Sequence, residues 1–518
     1  MVRSYLALLA TVGSSIAADL STLPDLLNTI SADVFPGLQS MAEYIHEHPE
    51  TSTQEFHAHD LVVDYFTTTN PDLWKVTPHA YGLPTAFELE FVHKPSSFSG
   101  SEDEIPVLGF MAEYDALLGI GHACGHNHII LNGLAAASMA RQALIDLDIP
   151  GHIKVLGTPD EENTGGKGRL RDAGAFDGVD VWMMAHPTSA NAVQPMQGRV
   201  DAQSNFKGDT HADVVKTAYE ALVLITDLAS SLPGTASTAT PVEDVGMFAI
   251  NVVAQEILFG IASLSLQEVN STVQGLLDDT YVGVNYTVTE NSDVEKGVAL
   301  TIEGPGGHAS EGNKSPLRLS IETFRTLTSS GNEDVSFFLP GNTTVTELDI
   351  TTSVRTRYTM DLDSVLQAVT SAITSKAASI STDRPYPALE VMTPLSDRFI
   401  ALMHDADHGS QANWNYSTIA PAATDAGFVQ DAQIDPDTKQ LLSVGKVVFH
   451  PNFGICEGTP GAPGAPCGFN HEPVFAQTAA TDFSYGRTEI VARALAQVAV
   501  EVLDDKGFMR EVTKLVRR

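Results

Sequence analysis

The stretch VLGFMAEYDALLGIGHACGHNHII, residues 107–130, runs from a short apolar segment through a glycine-rich loop into a second apolar segment. A short apolar run such as VLGFMA is typical of a strand that is buried inside a parallel sheet. The second segment continues to residue 145 and is rich in Ala and Leu, which predicts a helix. A strand, a loop and a helix in this order indicate the first unit of an α/β fold.

The alternation of strands and helices continues along the chain. HIKVLGTP (residues 152–159) predicts a strand, GKGRLRDAG (166–174) a helix that ends at its last glycine, and VDVWMMAH (179–186) another strand. We therefore predict an α/β fold with a mixed, mostly parallel sheet that is flanked by helices. Open α/β sheets place their sites outside the carboxyl ends of the strands.

The composition changes at residue 199, where acidic residues, Thr and Ser become more frequent. Residues 298–378 then predict a strand, a helix, a strand pair within residues 344–360 and a second helix. This β-α-β-β-α order indicates a small α+β domain. We predict that it occupies residues 199–388 and is inserted into a main domain of residues 19–198 and 389–518.

Length and charge limit the class of protein. The chain has 518 residues, which is longer than one ordinary domain, and 43% of them are apolar. Its 65 acidic and 29 basic residues give a net charge of −36. A surface of that sign repels nucleic acids and anionic lipids, so we expect neither a nucleic acid nor a membrane as a partner.

The first 20 residues, MVRSYLALLATVGSSIAADL, have the pattern of a secretory signal peptide. Arg3 precedes an apolar core over residues 5–12, and small residues follow up to Ala17. We predict a signal peptide over residues 1–18; the alternative is a buried N-terminal helix. A secreted or vacuolar glycoprotein also fits five Asn-x-Ser/Thr triplets, at Asn270, Asn285, Asn313, Asn342 and Asn415.

The chain has three cysteines, an odd number for a secreted protein. Cys456 and Cys467 flank a loop rich in Gly and Pro and could close it as a disulfide. Cys124 is then left over. A free thiol outside the cell is open to oxidation unless it has a role such as metal ligation, and the alternative is a buried, inert cysteine.

Candidate metal ligands follow the predicted strands. Cys124 and His126 lie two residues apart, and side chains at that spacing point the same way from an extended loop. Glu161 and Glu162 follow one strand, and His186 ends the next. Adjacent side chains diverge, so we expect one glutamate to bind a metal and its neighbour to transfer a proton. The plainer alternatives are a solvated glutamate pair and a core histidine.

These motifs together match a known family. The matching segments, in chain order, are IHEHPE (45–50), AEYDALLGIGHACGHN (112–127), GTPDEENTGGKG (157–168), DVWMMAHP (180–187), PAATDAG (421–427) and NHEPVFAQTAAT (470–481). On these segments the chain resembles the metallopeptidases of the aminoacylase, carboxypeptidase G and indole-acetyl-amino-acid hydrolase family. Within the family it is most similar to the branch of amidohydrolases and dipeptidases that have a cysteine ligand.

The resemblance implies two divalent metal ions, zinc or manganese, and a lid domain through which a homodimer can form. The implied metal ligands are Cys124, which would bridge the ions, together with His126, Glu162, His186 and His471. Glu161 would be the general base, and Asp115 would orient a ligand. Taken alone, His471 could also be a plain surface histidine.

Members of the family also carry a lid histidine that stabilises the carbonyl oxygen in the transition state. Two residues of this chain match its place, His211 and His308. We expect His308 to have this role, because its setting GGHAS is the better match and the rest of the lid follows it. The segment between the two histidines would then be an insertion. Arg357, on a predicted lid strand, could bind a substrate carboxylate or be solvated.

The activity that the resemblance implies is hydrolysis of the amide bond of dipeptides or N-acyl amino acids by a metal-activated water. Two alternatives stay open at this point. One is a carboxypeptidase that acts on longer peptides. The other is a secreted scaffold that kept the fold and lost catalysis.

Overall fold

A computed structural model of the chain describes residues 20–69, 73–229, 232, 235–239, 253–307, 315–406, 413–459 and 466–517. The predicted signal peptide over residues 1–18 lies outside the described residues, and so does His308. Both therefore stay predictions.

Helices and strands alternate in the first part of the chain. The helices are α1 (Leu23–Glu47), α2 (Phe56–Thr68), α3 (His126–Asp146) and α4 (Gly166–Asp172). The strands are β1 (Lys75–Pro78), β2 (Phe87–His93), β3 (Val107–Ala112), β4 (Gly151–Gly157), β5 (Val181–Met183) and β6 (His186–Thr188).

The middle part is richer in strands. Its helices are α5 (His211–Ala229), α6 (Leu266–Leu276), α7 (Pro316–Ser329) and α8 (Leu362–Ile373). Its strands are β7 (Gly198–Lys207), β8 (Thr235–Ala239), β9 (Glu256–Ala262), β10 (Asn285–Asn291), β11 (Gly297–Glu303), β12 (Ser336–Phe338), β13 (Glu347–Thr356) and β14 (Ser379–Thr382).

The last part is mostly helical. Its helices are α9 (Thr393–Ala406), α10 (Gly427–Gln430), α11 (Pro473–Thr478), α12 (Asp482–Asp504) and α13 (Lys506–Val512). Its strands are short: β15 (Gln433–Ile434), β16 (Leu441–Ser443), β17 (Val447–Phe449) and β18 (Asn452–Gly454).

A six-stranded sheet in the order β1-β2-β4-β3-β5-β17 confirms the predicted α/β fold. Strands β4, β3, β5 and β17 are parallel to one another, whereas β1 and β2 form an antiparallel edge that pairs with β4. The sheet is mixed and mostly parallel, as predicted. Strand β17 comes from the last part of the chain, so two distant segments complete one sheet.

Both faces of this sheet are covered, as a mostly parallel sheet requires. Residues of α1, α3 and α12 form the larger core on one face, together with Leu108 and Phe110 of β3. The opposite side of β3 contributes Met111, which packs in a smaller core with Trp182. The alternation along β3 therefore divides its side chains between two apolar layers.

The middle part forms two further four-stranded sheets, β14-β7-β13-β8 and β10-β11-β9-β12. Strand β13 pairs with β7 over ten residues, from Glu347 opposite Lys207 to Thr356 opposite Gly198. Residues from both sheets and from α5–α8 share one apolar core. The chain enters and leaves this part side by side, because Arg199 and Tyr386 exchange two backbone hydrogen bonds. The domain boundaries themselves stay a prediction.

The strand pair predicted within residues 344–360 is wrong, because one unbroken strand, β13, occupies that place. It is a central strand, which pairs with β7 over its ten residues and with β8 on its other side. The predicted β-α-β-β-α elements occur in order, but β11 and β12 lie in one sheet and β13 in the other. Among the described residues, no helix combines the length and apolarity that a membrane span needs.

The close contact of β3 and β5 allows a test of the main core. A methyl group on Gly109 would overlap the ring of Trp182, so we expect Gly109→Ala to lower the free energy of unfolding by about 1–3 kcal/mol. The matched control is Gly486→Ala in helix α12, where a methyl group meets no atom within contact distance. It should stabilise the protein by about 0.5–1 kcal/mol. Urea unfolding of both variants measures the difference, and equal effects would contradict the packing described.

Candidate metal centre

The candidate ligands converge at the carboxyl ends of the parallel strands. Strand β3 leads into Glu113 and Asp115, β4 into Glu161 and Glu162, and β5 into His186. Since these three strands are neighbours in the order β4-β3-β5, the residues that follow them meet at one edge.

The loop between β3 and α3 differs from the extended form that we predicted. Gly125 has a left-handed backbone (φ 83°), and His126 is already the first residue of α3. A side chain at Gly125 would lie 2.6 Å from Cγ of Pro187, so glycine is needed for both conformation and space. Cys124 and His126 therefore face the same site because of the left-handed turn at Gly125, and not because the loop is extended.

Asp115 orients two of the candidate ligands. Its Oδ1 is 2.9 Å from Nδ1 of His126, so the other ring nitrogen, Nε2, is directed away from it. Its Oδ2 accepts hydrogen bonds from the backbone N–H of Glu162 (3.0 Å) and the hydroxyl of Ser52 (2.9 Å). Asp115 is 1% exposed. These contacts are the ones that an orienting carboxylate needs.

A strained residue directs the two glutamates. Asp160 has a positive φ of 63°, which is uncommon for a residue with a side chain. Its backbone N–H donates to Oε1 of Glu55 at 2.9 Å, and the buried Glu55 carboxylate thereby stabilises the turn. Strain of this kind persists only where the surroundings hold it, and it is concentrated at functional sites.

Glu161 and Glu162 do not diverge as far as we predicted. Oε2 of Glu161 lies 4.0 Å from Nε2 of His126, and Oε1 of Glu162 lies 3.7 Å from the same atom. The left-handed turn at Asp160 and the contacts of the two carboxylates bring both toward the centre. Glu162 also lies 3.5 Å from Nε2 of His471.

His186 and His471 reach the site from separate segments. The Nδ1–H of His186 donates to the carbonyl of Pro187 at 2.8 Å, and its Nε2 lies 3.6 Å from Sγ of Cys124. His471, also with a positive φ (70°), is tied to the cysteine loop by a backbone bond to Ala123. It is 1% exposed, so the plain surface alternative is wrong.

A disulfide precedes His471 in the chain. Cys456 and Cys467 are bonded, with their Cα atoms 5.1 Å apart, while Cys124 is a free, buried thiol. Asn470, the residue before His471, donates its side-chain amide to the carbonyls of Cys124 (3.1 Å) and Pro187 (3.0 Å). The segment that carries His471 is therefore held from both sides.

Three groups of ligand atoms lie close enough to hold a metal ion. The groups are Cys124 with His126 and His186, Cys124 with Glu162 and His471, and His126 with Glu161 and Glu162. Within each group the atoms lie within 4.8 Å of one another. Cys124 belongs to the first two groups, which together contain all five of the ligands that we predicted.

The donor set fits a divalent transition metal. Thiolate, imidazole and carboxylate are the ligands of zinc and related ions. Nε2 of His126 is buried without a hydrogen-bond partner among the described residues, although a buried polar atom normally has one. A cation bound at this nitrogen would satisfy it.

The electrostatics of the protein groups favour a cation as well. Burial, followed by the neighbouring Glu113, raises the pKa of Glu161 well above its ordinary value. Burial and Glu162 likewise raise the pKa of the Cys124 thiol. Burial and His450 lower the pKa of His186 to about 3, which keeps its imidazole in the neutral form that binds metals.

Sequence reasoning gave no role to three residues of the site. Lys167 donates its ammonium to Glu113 and to Asp425, and all three are buried. They lie within segments that carried the family resemblance, so membership of those motifs was the signal available. Their pairing joins β3, α4 and the segment before α10, which are far apart in the chain.

The middle part contributes a different arginine from the one that we considered. Arg357 is partly exposed, and its guanidinium forms a two-pronged ion pair with Glu390 (2.6 and 2.7 Å), so a protein carboxylate already engages it. Two residues earlier on β13, Arg355 is 1% exposed, and its guanidinium has no hydrogen-bond partner among the described residues. The charge of Arg199 disfavours the charged form of Arg355, whereas the charges of Asp201, Glu161 and Glu162 favour it.

His211 has a structural role in the described residues. One ring nitrogen donates to the carbonyl of Val345 at 2.8 Å, and the other accepts from the backbone N–H of Leu339 at 2.9 Å. Both nitrogens are thus engaged within the middle part of the chain. This leaves His308 as our prediction for the lid histidine.

With the fold and the site described, comparison with known proteins identifies the family. The family model for Peptidase family M20/M25/M40 matches residues 110–452, more than half of the chain. The chain belongs to this peptidase family. The matched residues include four of the five candidate ligands, and His471 lies beyond them.

Three individual proteins are similar to parts or all of the chain. The Xaa-Arg dipeptidase of Homo sapiens is 46% identical over 160 residues, which are 30% of this chain and 36% of that protein. One component of the p-aminobenzoyl-glutamate hydrolase of Escherichia coli (strain K12) is 27% identical over 210 residues, 36% of this chain and 41% of that protein. The chain thus spans about two fifths of the length of these curated relatives.

The third is a Bacillus subtilis protein described as a dinuclear metal binding peptidase of the same family. Its crystal structure aligns with a TM-score of 0.47 and 14% identity, over 90% of this chain and 98% of that chain.

The raised pKa of Glu55 leads to a prediction of how the stability of the folded protein depends on pH. Burial, with a smaller effect of Asp115, raises the pKa of Glu55 from 4.5 to about 7. Ionising it in the folded protein is therefore unfavourable, and this penalty is absent below pH 4.5 and grows as the pH rises to about 7. Glu55→Gln removes the penalty, so the variant should gain stability over the parent with rising pH, by at most about 3 kcal/mol.

Urea unfolding at pH values from about 4.5 to 8 measures this difference in free energy. The matched control is Glu102→Gln, because Glu102 is exposed. A gap between Glu55→Gln and the parent that stays constant over this range would contradict the assignment.

Proposed function

We propose that the protein is a metal-dependent amidohydrolase with a binuclear site. The observation that carries this proposal is the position of Cys124, which is shared by two ligand groups. One group adds His126 and His186, and the other adds Glu162 and His471. A ligand common to two groups suits a pair of ions, for which we propose zinc or manganese.

In this proposal, different residues bind the metal ions and transfer the proton. Bound divalent ions would lower the pKa of a water and polarise the carbonyl of the substrate. Glu161 is the carboxylate that we assign as general base, since Asp115 is engaged by His126 and Glu162 is a ligand in one of the two groups. It accepts a proton from the attacking water and returns it to the leaving nitrogen.

The substrate that we propose is a dipeptide or an N-acyl amino acid. Such a molecule ends in a carboxylate, and Arg355 supplies a buried guanidinium without a hydrogen-bond partner among the described residues. Burial and the neighbouring Arg199 lower the pKa of Arg355, so an anion bound there would relieve an unfavourable charge. An arginine fork also suits the geometry of a carboxylate. The names of the two curated relatives, a dipeptidase and a hydrolase of p-aminobenzoyl-glutamate, support this substrate class.

We further propose that the protein is secreted and glycosylated. Three of the predicted glycosylation sites, Asn270, Asn285 and Asn415, are exposed, as attachment of a glycan requires. The disulfide Cys456–Cys467 supports an oxidising compartment. A homodimer formed through residues 199–388, with His308 in the lid role, stays a prediction.

The general-base assignment is tested by Glu161→Gln. The amide cannot accept the proton, so we expect turnover to fall by at least about 1,000-fold while about two metal ions per chain remain bound. Elemental analysis measures the metal, and a panel of dipeptides and N-acetyl amino acids measures turnover. A variant that keeps both its metal and its activity would contradict the assignment.

The same panel tests the substrate class. It includes longer peptides and C-terminally amidated dipeptides, each with added zinc, with added manganese and with a chelator. Turnover of longer peptides would favour the carboxypeptidase alternative, and equal turnover of the amidated forms would contradict the role of Arg355. Absence of bound metal and of turnover in the parent would favour the scaffold.

Cys124→Ser tests the shared ligand. A serine hydroxyl is a poor ligand where a thiolate is expected, so we predict loss of at least one of about two metal ions. The fold should remain, because Cys124 is a minor part of the apolar core. Metal content and the unfolding transition are measured together, and unchanged metal content would remove Cys124 from the site.

A further inference from the structure

A buried ion cluster lies behind Glu161 and has no role in the proposed function. We call Lys167, Glu113 and Asp425 the Lys167 cluster. The ammonium of Lys167 donates to Glu113 and, at 2.7 Å, to Oδ1 of Asp425. None of the three side chains is more than 1% exposed.

The cluster is connected directly to the reactive part of the site. The backbone N–H of Asp425 donates to Oε1 of Glu161 at 3.3 Å. Oε2 of Glu113 lies 3.5 Å from Nε2 of His126. Lys167 also donates its own backbone N–H to Oδ2 of Asp425 at 2.8 Å, so both oxygens of that carboxylate are held.

Stability alone does not account for such a cluster. Buried charges are costly to desolvate, and apolar side chains of similar volume are often as stable or more stable in their place. A fixed geometry is what an ion cluster adds, and residues that support a reactive group are held in this way. In this cluster the reactive group that is held is the carboxylate of Glu161, which accepts a hydrogen bond from the backbone N–H of Asp425.

We propose that Lys167 is a positioning residue for the reaction. This inference rests on the proposed function, in which Glu161 accepts a proton. Lys167 holds Asp425 in a position from which the backbone N–H of Asp425 donates to Oε1 of Glu161. Oε2 of Glu161 then faces His126. Lys167 also forms an ion pair with Glu113. Without Lys167, Glu113 would be an unpaired carboxylate beside Glu161.

Lys167→Met tests the proposal in the full-length, metal-loaded enzyme with the best substrate of the panel. Loss of position should lower kcat by about 100-fold, since a small misplacement of a reacting group has an effect of that size. KM should stay within about threefold of the parent value, and metal content should not change, because Lys167 contacts Glu113 and Asp425 and belongs to none of the three ligand groups.

The matched control is Lys154→Met on strand β4. Lys154 is also largely buried and also faces two carboxylates, Glu88 at 3.5 Å and Glu90 at 3.8 Å. It should keep the kcat of the parent. A kcat of Lys167→Met within about threefold of the parent overturns the proposal. Loss of metal in step with activity also overturns it, because the role would then be structural.

Asp425→Asn decides the question if Lys167→Met does not fold. Asparagine offers one acceptor oxygen in place of two, so it breaks one of the two bonds to Lys167 and keeps the backbone N–H. A fall in kcat at unchanged KM and metal content supports the proposal, and a parental kcat overturns it.

Glu161→Gln in the same assay separates the two levels of inference. If Glu161→Gln is inactive while Lys167→Met is active, only the role of Lys167 is wrong. If Glu161→Gln is active, the proposed function is wrong as well.

Discussion

The carboxylate of Asp115 is the contact on which the site depends. It binds the ring of His126, the backbone of Glu162 and the hydroxyl of Ser52, so one buried group connects three separate segments. Because its oxygens are occupied by these donors, it directs ligands and does not compete with them. His126 begins a helix after the left-handed Gly125, and from that position its ring contacts Asp115.

Around this contact the backbone is held in unusual conformations. Asp160 and His471 both have a positive φ, and each lies at or beside a residue of the site. Glu55 stabilises the turn at Asp160, and Asn470 stabilises the loop of His471. Two buried clusters of charge, around Asp115 and around Lys167, therefore fix the groups that face the centre. The reactive part of the molecule is thus supported by residues that do not themselves belong to it.

Much of the main sheet could be predicted because its signals are local. Apolar runs, glycines at helix ends and the order of elements depend on a few neighbouring residues, and the structure follows them from β3 to His186. The middle part was harder. Strand β13 was mistaken for a strand pair because its length is set by pairing with β7 and β8, which come from other segments. The residues of a strand do not by themselves indicate which strands it pairs with or how long the pairing is.

The sequence by itself determined the α/β class and, through the family resemblance, the five ligand candidates, because residue types and motif order carry that information. Only the tertiary structure decided that Cys456 pairs with Cys467, that Cys124 is shared between two ligand groups, and that Lys167 joins Glu113 to Asp425. It also decided that Arg355, and not Arg357, has a guanidinium without a hydrogen-bond partner among the described residues. The physical reason is distance along the chain. Most of these contacts join segments that are tens to hundreds of residues apart, and only the packed sheet brings them within a hydrogen bond of one another.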